Sequence, residues 1–169
     1  MRRTKVGRTI GVVLGLVAVL GVATVVAAAP DQPRNFVAPL NGGNEVPAVD
    51  TQARGVAIFH LSDDGSQLEY RLNATNIEDI LQAHIHARGV AGVNAPVVAF
   101  LYPDAPPASL IPGRHTGTLA TGVITASDLI GPLAGGTMTD LLDAIMDGEA
   151  YVNVHTVANP TGEIRGQLP

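Results

Sequence analysis

Cysteine is absent from the 169-residue chain. Its absence excludes disulfide bonds, thiolate metal sites, thiol catalysis and a lipid-modified cysteine anchor. A domain of roughly 140 residues can still bury a sufficient core without cross-links, because the fraction of surface buried on folding rises with size. The sequence also lacks a nucleophile elbow, a phosphate-binding glycine loop and a recognisable Ser-His-Asp set, so it offers no motif for these classes of catalysis.

Basic residues are scarce after the N-terminus. Four of the ten lie within the first eight positions, and all fifteen acidic residues follow residue 30. Residues 30–169 therefore carry six basic and fifteen acidic side chains, a formal charge of −9. Such a charge argues against nucleic-acid binding, which needs Lys and Arg on the phosphates. It suits a cation ligand or simple solubility.

The N-terminal segment has the pattern of a secretory signal. Arg2, Arg3, Lys5 and Arg8 precede a stretch from Ile10 to Ala29 without any charged residue. A basic start, an apolar run and small residues before a cleavage point define such a signal, and cleavage after Ala28 would fit it. An uncleaved membrane anchor is the alternative, because the run approaches the ~20 residues that span a bilayer. In either case we expect residues 1–29 to direct export and residues 30–169 to form one domain outside the cytoplasm, secreted or in a bacterial cell envelope.

The rest of the chain has the pattern of an antiparallel all-β domain. Short runs rich in Val, Ile, Leu and Tyr are separated by Gly, Pro, Asn and Asp, which is typical of a sandwich or barrel. Leu68, Tyr70 and Leu72 alternate with polar residues, and this indicates a half-buried strand. We predict strands at 36–40, 55–62, 67–75, 81–87, 97–102, 116–125, 150–157 and 163–168, with a long loop at 103–115.

A short helix is predicted before the C-terminal hairpin. Apolar residues at helical spacing occupy residues 139–147, Thr137 or Thr139 can cap the start, and Gly148 can end it. The predicted fold is therefore an antiparallel β-sandwich or barrel, Ig-like in general shape, with one short helix.

Three segments resemble the motifs of the CHRD (chordin-type) domain family. Residues 44–49 resemble the opening motif GxNEVPPV, with alanine in place of the second proline. Residues 83–89 and 94–98 resemble AHIHxG followed by NGPVV, although the first glycine arrives late and alanine replaces the second. Residues 148–156 and 159–167 resemble GxAYVNVHT followed by NPGGEIRGQ almost residue for residue.

This resemblance covers about residues 36–168 and implies a fold and a compartment more than an activity. The family is similar to the repeated domains of chordin, a secreted antagonist of growth factors, and in bacteria it occurs as single exported domains. The expected function is a non-catalytic binding module, and the alternative is a structural, adhesion or protein-interaction domain. The expected partner is a metal ion or an extracellular protein, with no nucleic acid, and a membrane only through an uncleaved N-terminal segment.

Three histidines are candidate metal ligands. Alternate residues of a strand share a face, so His84 and His86 point the same way, with Cα atoms about 6.5–7 Å apart. Two such imidazoles can converge on one metal at ~2 Å per bond, and His155, on a later strand, is the expected third ligand. Copper is favoured over zinc because copper(II) stands higher in the affinity order. His60 and His115 are interpreted as incidental.

The same histidines could instead form a metal-free hydrogen-bond network that fixes strand register. Asn153 and Arg165 would belong to it, and if Val157 paired with Glu163, Arg165 would lie opposite His155. Glu163 is expected to pair with Arg165 as an ordinary cross-strand partner. It could also, like Glu45, orient a ligating imidazole.

The order of these residues is similar to that in copper-zinc superoxide dismutases, which are also secreted β-barrels. In those enzymes a His-x-His pair and a late histidine bind copper, and a still later arginine guides the anion. The resemblance implies copper binding and a similar barrel. The chain has no clear zinc-binding loop with clustered His and Asp and no disulfide cysteines, and these departures make a dismutase-like copper enzyme the least favoured alternative.

Overall fold

A computed structural model of the protein describes residues 33–89 and 92–169, and the predicted signal segment lies outside these described residues. The elements in chain order are β1 (Asn35–Asn41), β2 (Arg54–Leu61), β3 (Leu68–His86), β4 (Val97–Tyr102), β5 (Ile111–Ile124), α1 (Met138–Met146), β6 (Tyr151–Thr156) and β7 (Ile164–Gln167). Single 3-10 turns occupy Gly42–Asn44, Ala126–Asp128 and Gly131–Leu133. None of the helices in the described part of the chain is long and apolar enough to cross a membrane.

Five strands close into an antiparallel barrel. β1 pairs with β2 and β7, β6 pairs with β7 and β3, and the pairing of β3 with β2 completes the ring. β4 and β5 extend the sheet along the other edge of β3. The predicted all-β antiparallel sandwich or barrel, with one short helix before the C-terminal hairpin, is confirmed, and the structure shows it to be a barrel.

β3 is a single strand of 19 residues, whereas the sequence predicted two strands with a break after residue 75. The pairing register shifts between Ala74 and Ile77 and again between Glu78 and Ile80. Asn76 and Asp79, in these irregular stretches, have φ angles of 54° and 51°. Asn and Asp tolerate this left-handed conformation, so the strand bulges and bends without ending. One strand therefore builds the barrel wall and carries the His84–His86 pair at its C-terminal end.

Two further predictions concern the segment after β4. The predicted loop at 103–115 is too long, because β5 begins at Ile111, which pairs with Ile80. The four prolines of that loop suggested irregular backbone, but Pro112 is accommodated in a strand whose recorded pairing is with β3 alone, as an edge position allows. The predicted helix is confirmed, and Thr137 caps it together with Asp140, whose carboxylate accepts from the Thr137 backbone N–H at 2.7 Å.

The strands β3 and β6 are buried on both faces near the histidines. Ile85 and Val152 belong to the apolar core and are fully buried. The alternate residues His84, His86 and His155 point to the opposite face and are buried as well, at 3, 8 and 6 % exposure. Loops must therefore cover that second face, and the sheet separates an apolar interior from a polar one.

Candidate metal centre

The three histidines predicted as ligands meet on the polar face of β3 and β6. His84 and His86 alternate at the end of β3, and the register places His84 opposite Asn153 and Gln82 opposite His155. One nitrogen from each of the three rings lies within 4.8 Å of the other two. Residues 71 positions apart in the sequence are thus close enough to hold a metal ion.

Two of the rings already have the spacing of ligands to one ion. His84 Nδ1 lies 3.2 Å from His155 Nε2. Two nitrogens bonded to one Zn²⁺ at about 2.0–2.1 Å with a tetrahedral angle are roughly 3.3 Å apart. The His86 ring is farther away, with its centroid 5.6 Å from that of His84 and 6.2 Å from that of His155. His86 would have to move inward by a distance on the order of 1 Å to complete three bonds of this length.

Backbone carbonyl oxygens hold two of the rings through the nitrogen that faces away from the cluster. His86 Nδ1 lies 2.7 Å from the carbonyl oxygen of Ala95, and His155 Nδ1 lies 3.0 Å from that of Pro160. A carbonyl oxygen can only accept, so each Nδ1 carries the ring proton and donates it. Each Nε2 is then left with a lone pair. Metal-bound histidines characteristically donate the second N–H to a carbonyl, a carboxylate or water in this way.

The three imidazoles are neutral at pH 7. Burial lowers the pKa of His84 to about 3, and repulsion between protonated rings, from His155 and then from His86, lowers it further. Burial also lowers the pKa of His155 to about 4 and lowers the pKa of His86, although the hydrogen bonds to Pro160 and Ala95 oppose these shifts. Metal binding requires the neutral imidazole, so no proton would have to leave these rings before an ion could bind at neutral pH.

A stack of three side chains closes one side of the cluster. The Tyr151 ring is parallel to the His86 ring within 2°, with centroids 4.7 Å apart. The guanidinium carbon of Arg165 lies 3.3 Å from the Tyr151 ring centroid, a cation–π contact. Arg165 is 2 % exposed and donates to Asn94 Oδ1 and to the carbonyl of Val93. No role was predicted for Tyr151 from the sequence. Its alternation with Asn153 and His155 in one strand would have predicted that it lies on the same face as His155.

The strands and loops that form the histidine cluster lie within the region that matches a known protein family. The CHRD domain family matches residues 36–168, which include every residue of the cluster. The chain belongs to the CHRD domain family. Comparisons with curated proteins and with solved structures found no match.

In this CHRD domain, Arg165 lies opposite Asn153 and not opposite His155 as predicted. The β6–β7 hairpin pairs Val154 with Ile164, two residues out of the predicted register. The reason is the connection, in which the backbone N–H groups of Thr156 and Gly162 both donate to the carbonyl of Asn159. Val157, predicted as a strand residue, is therefore part of the turn.

Glu163 does not pair with Arg165, which is a second correction. Its Oε1 accepts from the hydroxyl of Thr51 at 2.7 Å, and its Oε2 accepts from the hydroxyl of Thr156 at 2.6 Å. Among the described residues no ion pair joins Glu163 to Arg165. Glu163 is 7 % exposed, and its two hydroxyl partners connect the loop before β2 to the end of β6.

Glu45 lies next to Asn153. Burial raises the pKa of Glu45 to about 7, against the lowering effects of the Arg165 charge and of a hydrogen bond from the Asn153 side chain. Oε1 of Glu45 is buried without a well-formed hydrogen bond. A Cβ atom added at Gly162 would overlap Glu45 Oε1 and lie 2.8 Å from Asn153 Nδ2, so both polar groups face the same glycine. The polar groups near the Glu45 carboxyl therefore include Asn153, Arg165 and the backbone N–H of Val46.

The remaining two histidines of the CHRD domain lie outside the cluster. His60 is exposed on β2 and its Nδ1 is 2.9 Å from Asn35 Oδ1. His115 lies on β5, where it pairs with Ile77. Neither belongs to the group of histidines that could share an ion.

Proposed function

We propose that this CHRD-domain protein is an exported, non-catalytic module that binds one transition-metal ion through His84, His86 and His155. The observation that carries the proposal is the convergence of three buried, neutral imidazoles, two of them already 3.2 Å apart. Carbonyl oxygens hold the far nitrogens of His86 and His155, which leaves the near nitrogens free to bind. The basic and apolar N-terminal pattern supports export.

Copper is the preferred ion of this proposal. The chain has no cysteine, so the histidines have no thiolate competitor, and imidazole ligands suit copper, zinc and nickel. Copper(II) binds most tightly among the divalent first-row ions at a given set of nitrogen and oxygen ligands. The net negative charge of residues 30–169 would favour the approach of a cation.

Burial of the cluster supports a binding role over a catalytic one. The three rings are at most 8 % exposed, and Tyr151, stacked on His86, is itself only 3 % exposed. A catalytic metal ion needs an open coordination position that a substrate can reach. With the rings covered to this degree, a substrate would need the covering loops to move.

A metal-free network is the second candidate function, in a structural, adhesion or protein-interaction domain. The 3.2 Å separation of His84 and His155 and the 3.0 Å separation of His155 and Asn153 are also hydrogen-bond distances. A network of this kind could fix the register of β3 and β6. An extracellular protein would then be the partner.

Metal titration separates the two candidates. The purified protein, first treated with a chelator, is titrated with Cu²⁺ and with Zn²⁺ and compared with His84→Ala and with His60→Ala, a matched control at an exposed histidine. We expect one equivalent of copper to bind more tightly than zinc, binding to be lost in His84→Ala, and binding to be retained in His60→Ala. Excess copper should also stabilise the wild type, by about 2.7 kcal/mol at a hundred times Kd.

Failure of the wild type to bind either ion would refute the metal proposal, and equal binding by His84→Ala would place the ion elsewhere. A loss of stability in His84→Ala without any effect of metal on the wild type would support the network instead. Turnover of superoxide by the copper-loaded protein would contradict the non-catalytic role.

A further inference from the structure

We infer that the side-chain oxygen of Asn153 is a fourth ligand of the same ion and that Glu45 acts as the positioning residue for it. The inference rests on the proposed metal-binding function and adds an oxygen donor to a site so far made of nitrogen alone. Its evidence lies in the placement of Asn153, in the count of ring protons, and in the contacts of the Asn153 amide group.

Asn153 lies between the strands that carry the histidines. It is 2 % exposed and lies directly opposite His84 on β3 and Arg165 on β7. Its Oδ1 lies 3.0 Å from His155 Nε2, the same nitrogen that lies 3.2 Å from His84 Nδ1. Ligand atoms at about 2 Å from a common ion are roughly 2.8 Å apart at a right angle and 3.3 Å apart at a tetrahedral angle. Both observed distances lie in this range.

The position of the His155 ring proton shows that His155 Nε2 and Asn153 Oδ1 face each other with lone pairs and no hydrogen between them. The neutral His155 ring has one N–H, and it is at Nδ1, where Pro160 accepts it. Nε2 and the amide oxygen of Asn153 can then only accept, although they are 3.0 Å apart. The Nε2 of His86 is a further lone pair, and the Nε2 of His84 is likewise buried without a hydrogen-bond partner. Binding of an ion by His84 Nδ1 places the ring proton of His84 on that Nε2. Buried acceptors that face each other without a hydrogen repel, and a cation between them removes the repulsion.

A reversed Asn153 amide would relieve the repulsion without a metal, because its NH₂ group would then donate to His155. Glu45 opposes that orientation. The NH₂ group faces Glu45, and reversal would bring Oδ1 toward the oxygens of the ionised carboxylate, which can only accept. Gly162 makes the arrangement possible, since any side chain there would displace both groups. Glu45 therefore keeps the NH₂ group on its own side and the oxygen on the histidine side.

An amide oxygen changes which ion the site prefers. It is a harder donor than imidazole, and soft thiolate or thioether donors are the ones that select copper(I). Three nitrogens and one oxygen suit a divalent ion, with copper(II) in a tetragonal geometry or zinc in a tetrahedral one. An oxygen ligand from Asn153 would thus favour a divalent ion over copper(I).

The test compares Asn153→Ala, Asn153→Asp, Glu45→Ala and His84→Ala with the wild type in copper(II) and zinc binding. Electron paramagnetic resonance of the copper(II) form reports the donor set independently of affinity. We expect Asn153→Ala to alter the copper(II) spectrum and to weaken binding about 10-fold or more, since loss of a direct oxygen donor should cost at least as much as loss of a group that only orients a ligand. Asn153→Asp retains an oxygen at nearly the same place and should bind at least as tightly as the wild type, with a shifted spectrum. Glu45→Ala should weaken binding several-fold, because the amide can then reverse.

The outcomes separate this inference from the proposed function. If the wild type does not bind, or His84→Ala binds like the wild type, the metal site itself is wrong. If His84→Ala fails to bind but Asn153→Ala has the wild-type affinity and spectrum, only the fourth ligand is wrong. Should Asn153→Ala not fold, Asn153→Asp decides the question, and an unchanged copper(II) spectrum in that variant overturns the inference.

Discussion

Acidification of the metal-free protein tests the buried imidazoles directly. In the unfolded chain a histidine titrates near its ordinary pKa of 6.5, whereas burial lowers the pKa to about 4 for His155 and to about 3 for His84. Between these values the unfolded chain binds protons that the folded protein does not. The free energy of unfolding must therefore fall as the pH falls below about 6.5, and this loss continues until the folded rings also bind protons.

The magnitude follows from the separation of the pKa values. Each unit is worth ~1.4 kcal/mol, so between pH 7 and pH 4 His84 and His155 each contribute a loss of about 3 kcal/mol. Glu45 acts in the opposite direction, because its pKa is raised to about 7 and the folded protein gains stability as that group is protonated. Its effect over the same interval is a gain of about 3 kcal/mol. The net loss is then roughly 3 kcal/mol, to which His86 adds, and this is a large share of the 5–15 kcal/mol typical of a domain.

Urea denaturation of the chelator-treated protein at several pH values between 7 and 4 measures this change. Glu45→Gln removes the opposing group, so we expect its stability to fall more steeply with acid than that of the wild type. His60→Gln, at an exposed histidine, should leave the wild-type slope unchanged. A free energy of unfolding that stays constant or rises from pH 6.5 to pH 4.5 would show that the rings are not held neutral by burial.

Two predictions concern the residues that surround the cluster. Arg165→Lys should lower the free energy of unfolding by about 1–3 kcal/mol in urea denaturation, because lysine cannot cover the Tyr151 ring and bond Asn94 and the adjacent carbonyl together; unchanged stability would show that the stack contributes nothing. Gly162→Ala should cost about 1–3 kcal/mol and also weaken copper binding, through its φ of 129° and the overlap with the groups it faces. Gly117→Ala, at φ 135° with open space around the added Cβ, is the matched control for backbone strain alone, and equal losses in stability would exclude the crowding.

Much of the fold and the histidine cluster could be predicted from residue spacing. Period two places His84 and His86 on one face, and the position of His155 within a later strand gives it the same face if the two strands are neighbours. The single break predicted after residue 75 was wrong because Asn76 and Asp79 bulge the strand, and turn residues in a sequence do not distinguish a bulge from a loop.

The hydrogen-bond partners of the histidines and the register of the last hairpin could not be predicted, because they depend on contacts that no residue pattern indicates. The carbonyl partners of His86 and His155 belong to Ala95 and Pro160, and any residue type could supply such an oxygen. The register of the last hairpin depended on how many residues its connection uses, and here Asn159 organises a longer turn than the strand pattern indicated. That two-residue difference moved Arg165 from His155 to Asn153.

The two faces of strand β3 carry different kinds of side chain near its C-terminal end, apolar on one face and metal-ligating on the other. Ile85 belongs to the apolar core of the barrel, whereas its immediate neighbours, His84 and His86, place nitrogen donor atoms on the opposite face, which the loops cover. A change of ligand residue therefore leaves the packing of the barrel nearly as it was. The donor set on one face of the strand and the apolar packing on the other face are therefore set by different residues.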